Sequence, residues 1–178
     1  KVIYHEIKSN IENGGSEKDG QGILFRDTAL GLASASAEKR DSLDLRIAKA
    51  VEIVNESPDD KFILWHDLET ERAAIKKLLP DSKDVYGSQD LELREDRVIG
   101  FSNGDYRILS TKPILCGSGC NFQRHCHKMI FTGIGYKFND FVQAIHRIYR
   151  FLQTKQCEIH IIYTESERDI LKVLNQKW

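Results

Sequence analysis

The sequence is poor in the features that mark several protein classes. Among 178 residues there are 3 prolines and 1 methionine, and no apolar run nears the ~18 to 20 residues that cross a bilayer. No secretory leader opens the chain, which begins at Lys1. Its 4 cysteines are unevenly spaced, unlike the disulfide framework of a small secreted fold, and so predict reduced thiols in a cytoplasmic protein. With its one methionine at Met129, the chain is expected to be a piece of something longer. A phosphate-binding loop of the form G-x-x-x-x-G-K-[ST] is missing, as is an Asp-Glu pair closing an apolar strand to hold magnesium. Unaided hydrolysis of a nucleoside triphosphate is therefore not expected.

What is present suits one globular domain with a sizeable core, at 40% hydrophobic residues. The formal net charge of -1 conceals a segregation. Between Arg107 and Lys155 lie eight basic residues (Arg107, Lys112, Arg124, Lys128, Lys137, Arg147, Arg150, Lys155) and one acid, Asp140. A basic stretch on an otherwise acidic chain fits a site for phosphate groups; its plainer reading is a solvated basic face.

From residue 61 onward, short β-branched runs alternate with helical patterns. Lys61–Trp65, Asp84–Tyr86, Tyr106–Ser110, Lys128–Thr132 and Glu158–Tyr163 read as strands. Leu68–Leu79, Leu91–Phe101, Phe138–Leu152 and Ser166–Lys177 read as helices, and Leu43, Ile47, Ala50, Val51 and Val54 mark another upstream. This alternation predicts an α/β fold, a parallel sheet with helices on both faces. Residues 1–40, rich in Gly, Asn and Asp turns, read as a poorly specified extension of a domain spanning 41–178.

In such sheets, ligands sit beyond the carboxyl ends of the strands. There the chain offers Trp65-His66-Asp67, Tyr86-Gly87-Ser88-Gln89, Thr111-Lys112 and Cys116-Gly-Ser-Gly119-Cys120-Asn121-Phe122-Gln123. The helix expected at Phe138–Leu152 shows two stripes on a 100° wheel. Phe138, Phe141, Val142, Ile145, Ile148, Tyr149 and Leu152 make the apolar one, and Gln143, Arg147 and Arg150 fall together opposite. Two guanidinium forks aligned on one helix can clamp a phosphate, although arginines opposite an apolar stripe are also an ordinary solvated face.

These residues carry a resemblance. Gln143-Ala-Ile-His-Arg147-Ile-Tyr-Arg150-Phe-Leu-Gln153 resembles motif VI of superfamily 2 helicases, in the form found in Swi/Snf-like DNA translocases. Gly117-Ser-Gly119-Cys-Asn121-Phe122 is similar to their motif V, Ser110-Thr111 to the pair just ahead of it, Phe62–Asp67 to motif IV, and Tyr86-Gly87-Ser88 to the turn that follows. The likeness spans residues 43–178 and is nearest to helicase-like proteins of bacteria and phages that often accompany DNA methylases. Two departures stand out. Lys112–Cys116 carries two residues more than the usual lead-in to motif V, and Phe151-Leu152 replaces the customary Ile-Gly; the second is expected to matter less, with Leu152 on the apolar stripe.

The resemblance implies a RecA-like helicase C-terminal domain, the second lobe of an ATP-dependent DNA motor whose first lobe holds most of the ATP and Mg2+ site. It implies that Arg147 and Arg150 act as arginine fingers, that Gln143 and Gly119 approach the nucleotide, and that His66, Ser88, Gln89, Thr111, Lys112, Asn121 and Gln123 grip the phosphates of DNA. The partners it implies are DNA, the N-terminal lobe of the same protein and an associated DNA methylase.

Other readings compete with it. Cys116, Cys120, His125, Cys126 and His127 suit zinc by type, but a cysteine flanked by two histidines cannot easily send all three to one tetrahedron, so no metal is expected. The glycines lack the third Gly of a dinucleotide loop. A non-catalytic module that binds nucleic acid or a partner stays open.

Overall fold

The computed structural model describes residues 1–8, 38–116, 120–134 and 138–177. Six strands, β1 (Val2–Ile7), β2 (Phe62–Trp65), β3 (Lys83–Val85), β4 (Ile108–Thr111), β5 (Lys128–Phe131) and β6 (Glu158–Thr164), form one sheet in the order β1-β6-β5-β2-β4-β3. Every neighbouring pair is parallel. The helices are α1 (Leu43–Asn55), α2 (Glu69–Leu78), α3 (Leu91–Asn103), α4 (Phe138–Ile145) and α5 (Arg168–Lys177), with 3-10 turns at Pro113–Cys116 and Glu165–Glu167. No helix among the described residues is long and apolar enough to cross a membrane.

A sheet whose strands cross over through helices must bury both faces, and alternate residues of each strand supply the two cores. Phe62, Leu64, Ile108, Ile130 and Ile162 pack under Ile47, Ala50, Ile53 and Val54 of α1 and Ile75 of α2. Ile63, Trp65, Leu109, Met129, Phe131, Ile159 and Ile161 face the other way, against Phe101 of α3, Phe122, Phe141 and Ile145 of α4 and Ile170 of α5. Ring contacts concentrate on this second side, where Phe131 lies 4.6 Å from Phe141 and Phe101 meets Phe122 edge-on at 5.3 Å.

The structure departs from expectation at two places that matter. Val2–Ile7, within the stretch read as an extension, is the edge strand beside β6, so residue 41 does not mark where the sheet begins. The helix expected to run to Leu152 ends at Ile145. Its last amides bond three residues back, from Arg147 to the Ala144 carbonyl and from Ile148 to that of Ile145, which tightens the turn. Beyond it, donors from elsewhere capture the carbonyls that a further turn would need. The Phe122 amide takes that of Arg147, and the Gln153 side chain takes that of Ile148. Ile148 stays buried, but Tyr149 and Leu152, expected on the apolar stripe, are exposed. Leu152 also adopts a φ of 74°.

Candidate functional site

Two groups of side chains emerge from the residues singled out above, and a third that periodicity did not reveal. The first surrounds the turn after α4. Arg150 donates through Nη1 to the Asn121 side chain at 2.7 Å, and the Arg147 carbonyl accepts from Phe122, so this turn is tied directly to the segment after β4. Arg147 is half-buried and lies near two thiols, Cys116 and Cys120, whose pKa values its charge pulls down against the stronger upward push of burial. Burial wins: the Cys116 thiol is pushed up to about 12 and stays protonated. Gln143 is exposed on α4. Gly119 lies outside the described residues. Arg150 also lines a cavity of about 800 Å³ with Val2, Cys157 and Ile159, at the amino ends of β1 and β6.

The second group stands at the carboxyl ends of β2, β3 and β4. His66 follows β2, is 2% exposed, and has no hydrogen-bond partner on either ring nitrogen among the described residues. Burial lowers its pKa to about 4, opposed by Glu71 and reinforced by the nearby charge of Lys112, so the ring is neutral near pH 7. Ser88 is exposed in the turn that the Gln89 amide closes onto the Tyr86 carbonyl, and Gln89 is half-buried.

Two of the expected phosphate contacts are spent inside the fold. Thr111 is fully buried, and its hydroxyl donates to the Val85 carbonyl at 3.1 Å, tying β4 to β3. Gln123 is 7% exposed and points its amide nitrogen at the Phe151 carbonyl. Both bridge backbone rather than present a donor to solvent.

The third group centres on Arg46, which is 0% exposed on α1. Its Nη1 meets Glu71 Oε1 at 2.5 Å and also the Thr132 carbonyl; Nη2 donates to the Lys39 carbonyl and Nε to Ser42 Oγ. The other Glu71 oxygen accepts the amides of Asp67 and Leu68 and so caps α2. Lys39 lies 3.5 Å from Asp67 and 3.9 Å from Glu167, whose carboxylate accepts the amides of Ile134 and Thr164. Charged groups thus stitch together the chain leaving β2, β5 and β6. Gly133 sits among them, and a Cβ there would come within 2.8 Å of Lys39 Cε and 3.0 Å of Arg46 Nη1, so a larger residue would push the Lys39 side chain aside and crowd Arg46. A signal existed in the sequence: Arg46 falls three residues after Leu43 and four before Ala50, inside the apolar stripe of α1.

The cysteine and histidine cluster does not converge. Cys126 is buried with its thiol against the Lys61 and Lys128 carbonyls, whereas His127 turns to Asp60 at 3.6 Å. Among the described residues no three His, Cys, Asp or Glu side chains are placed to share a metal.

No protein-family model matches the chain, and no curated protein sequence matches it. Solved structures do. The C-terminal part of the Fun30 ATPase domain aligns over 71% of this chain and 43% of its own length, with 19% identity and a TM-score of 0.60. Dbp5 of S. cerevisiae bound to Gle1 and IP6 aligns over 74% of this chain and 36% of its own, with 13% identity and a TM-score of 0.63. A DEAD box protein of Methanococcus jannaschii aligns over 74% and 36%, with 15% identity and a TM-score of 0.61. The chain therefore spans about two-fifths or less of these proteins. The six-stranded, all-parallel sheet with helices on both faces has the fold of the RecA-like C-terminal lobe of helicases.

Proposed function

We propose that this chain is the second motor lobe of an ATP-dependent DNA helicase or translocase. The observation that carries the reading is the join between the α4 turn and the segment after β4, where Arg150 meets Asn121 and Arg147 lies beside Cys116 and Cys120. Two arginines on one turn, anchored by the Arg147 carbonyl on the Phe122 amide and by the Arg150 side chain on Asn121, suit a charge that develops across a cleft during phosphoryl transfer. ATP and Mg2+ would be held mainly by a preceding lobe, with Arg147 and Arg150 reaching the phosphates and Gln143 beside them. DNA phosphates would lie along the carboxyl ends of β2 to β4, where Ser88 and Lys112 have access to solvent, whereas the His66 ring is buried behind them. The resemblance adds a bacterial or phage source, work in the cytoplasm and a DNA methylase partner to the proposal.

In the two-lobed protein, Arg147→Ala and Arg150→Ala should each remove most DNA-stimulated ATP hydrolysis, by a factor on the order of 10³, while nucleotide still binds the other lobe. The check is steady-state hydrolysis alongside equilibrium nucleotide binding on folded variants. The Arg150–Asn121 bond favours a second reading, a binding module whose arginines only shape the fold. Full hydrolysis by both folded variants would establish it.

A further inference from the structure

Among the described strands β1 pairs with β6 alone, and its apolar residues are half-buried, whereas Ile159, Ile161 and Ile162 of β6 are almost wholly covered. Less apolar surface therefore holds the edge strand than holds the strands inside it. Where β1 and β6 meet, two imidazoles face each other. His5 Nε2 lies 3.1 Å from His160 Nδ1, and the nearly parallel rings have centroids 5.3 Å apart, so they touch nitrogen to nitrogen rather than face on face. His5 is half-buried and His160 is 8% exposed, on the face of β6 that Ile162 turns toward α1.

Such a bond needs one proton between the facing nitrogens and a free lone pair opposite it. A first added proton settles on an outer nitrogen and leaves the bond intact. A second must take the accepting lone pair, and two N–H groups then confront each other. The surroundings do not absorb that charge. His160 Nε2 has no hydrogen-bond partner among the described residues, and the Glu158 carboxylate, 3.9 Å away, is already held by Lys128 Nζ at 3.2 Å. Glu52 of α1 and Glu56 just beyond it favour a charged His5, whereas Lys49 opposes it, and Lys1 adds positive charge near His160. Burial outweighs the carboxylates and holds both rings below the ordinary histidine pKa.

We propose that His5 and His160 form an acid-operated latch, in which protonation of both rings releases β1 from β6 while the five inner strands stay paired. Release uncovers the β6 edge, a row of backbone donors and acceptors open to another strand. The latch does not depend on the motor function.

NMR of the isotopically labelled chain, followed from pH 7 down to about 4.5, tests it on amide and histidine-ring signals together. Amide signals of Val2–Ile7 should give way to random-coil positions while those of Lys128–Phe131 keep theirs. The open-to-closed ratio should rise about tenfold or more per pH unit below about pH 6, because each proton taken up on opening contributes tenfold. His160→Gln still offers an amide to His5 but takes up no proton, so it should lose most of that rise. If this variant fails to fold, the two strands of the parent chain still decide. Loss of β1 and β5 signals in step, β1 signals that stay native throughout, or an undiminished rise in folded His160→Gln would each overturn the latch.

Discussion

Arg46 and Arg150 are the same residue type put to opposite uses. Arg46 is wholly buried on α1, and its donors go to Glu71, the Thr132 and Lys39 carbonyls and Ser42. Arg150 is exposed on a turn, with one donor on Asn121 and the rest of its guanidinium beside an open cavity. The first ties α1 to α2 and to the chain leaving β5; the second leaves charge available to something outside the chain. A count of basic residues treats them alike, and only burial and partner lists tell a structural cation from a binding one.

Truncation breaks the comparison most sharply at the buried end. Arg46→Ala should cost about 3 to 5 kcal/mol, because it leaves the Glu71 carboxylate buried without its counter-charge. Arg150→Ala should stay within about 0.5 kcal/mol, because it opens no core cavity and gives up only an exposed bond to Asn121. Urea midpoints of the two variants check the contrast, and equal losses would erase the distinction.

Acid should expose the buried side next. His66, within the influence of Glu71, has its folded pKa lowered to about 4 from 6.5 by burial, and His160 is lowered likewise by burial and then by His5. Below pH 6.5 the unfolded chain therefore takes up protons that the folded chain refuses. Stability should be level above pH 6.5 and fall as the pH drops toward 4, by at most about 2 kcal/mol per histidine between pH 7 and 5. Urea midpoints across that range check the slope, and His66→Gln should remove about half of it, leaving the His160 contribution.

The smallest effect belongs to the exposed turn. Leu152 holds a φ of 74° that a leucine side chain disfavours, at the position where the resemblance expects glycine. Leu152→Gly should relieve the strain, offset in part by the freer unfolded chain, and raise stability by no more than about 1 kcal/mol. A thermal melt would show it, and a clear loss would mean that the side chain itself is needed.

Strand and helix periodicity foretold five of the six strands to within two residues at either end, because buried parallel strands must be continuously apolar. β1 escaped, since Val2–Ile7 shows apolar residues next to His5 and Glu6 and lacks a neighbouring helical pattern to identify it as part of the sheet. The end of α4 escaped as well. Its wheel continues smoothly to Leu152, and the bonds that stop it come from Phe122 and Gln153, one of them distant in sequence. Residue type pointed to Thr111 and Gln123 as phosphate contacts, but the sequence does not show which polar atoms the neighbouring backbone has already claimed.

The pairing of β1 with β6 has a consequence for how the chain folds. His5 touches His160 across 155 residues, so β1, made ahead of the other five described strands, must wait for the last of them before it gains a partner in this sheet. Closing so long a loop carries an entropic cost that local contacts do not repay in advance. The five inner strands can assemble without β1, which then docks onto a sheet already formed. Amide hydrogen exchange should accordingly find Val2–Ile7 the least protected of the strands, opening and closing at the sheet's edge while the middle of the molecule stays shut.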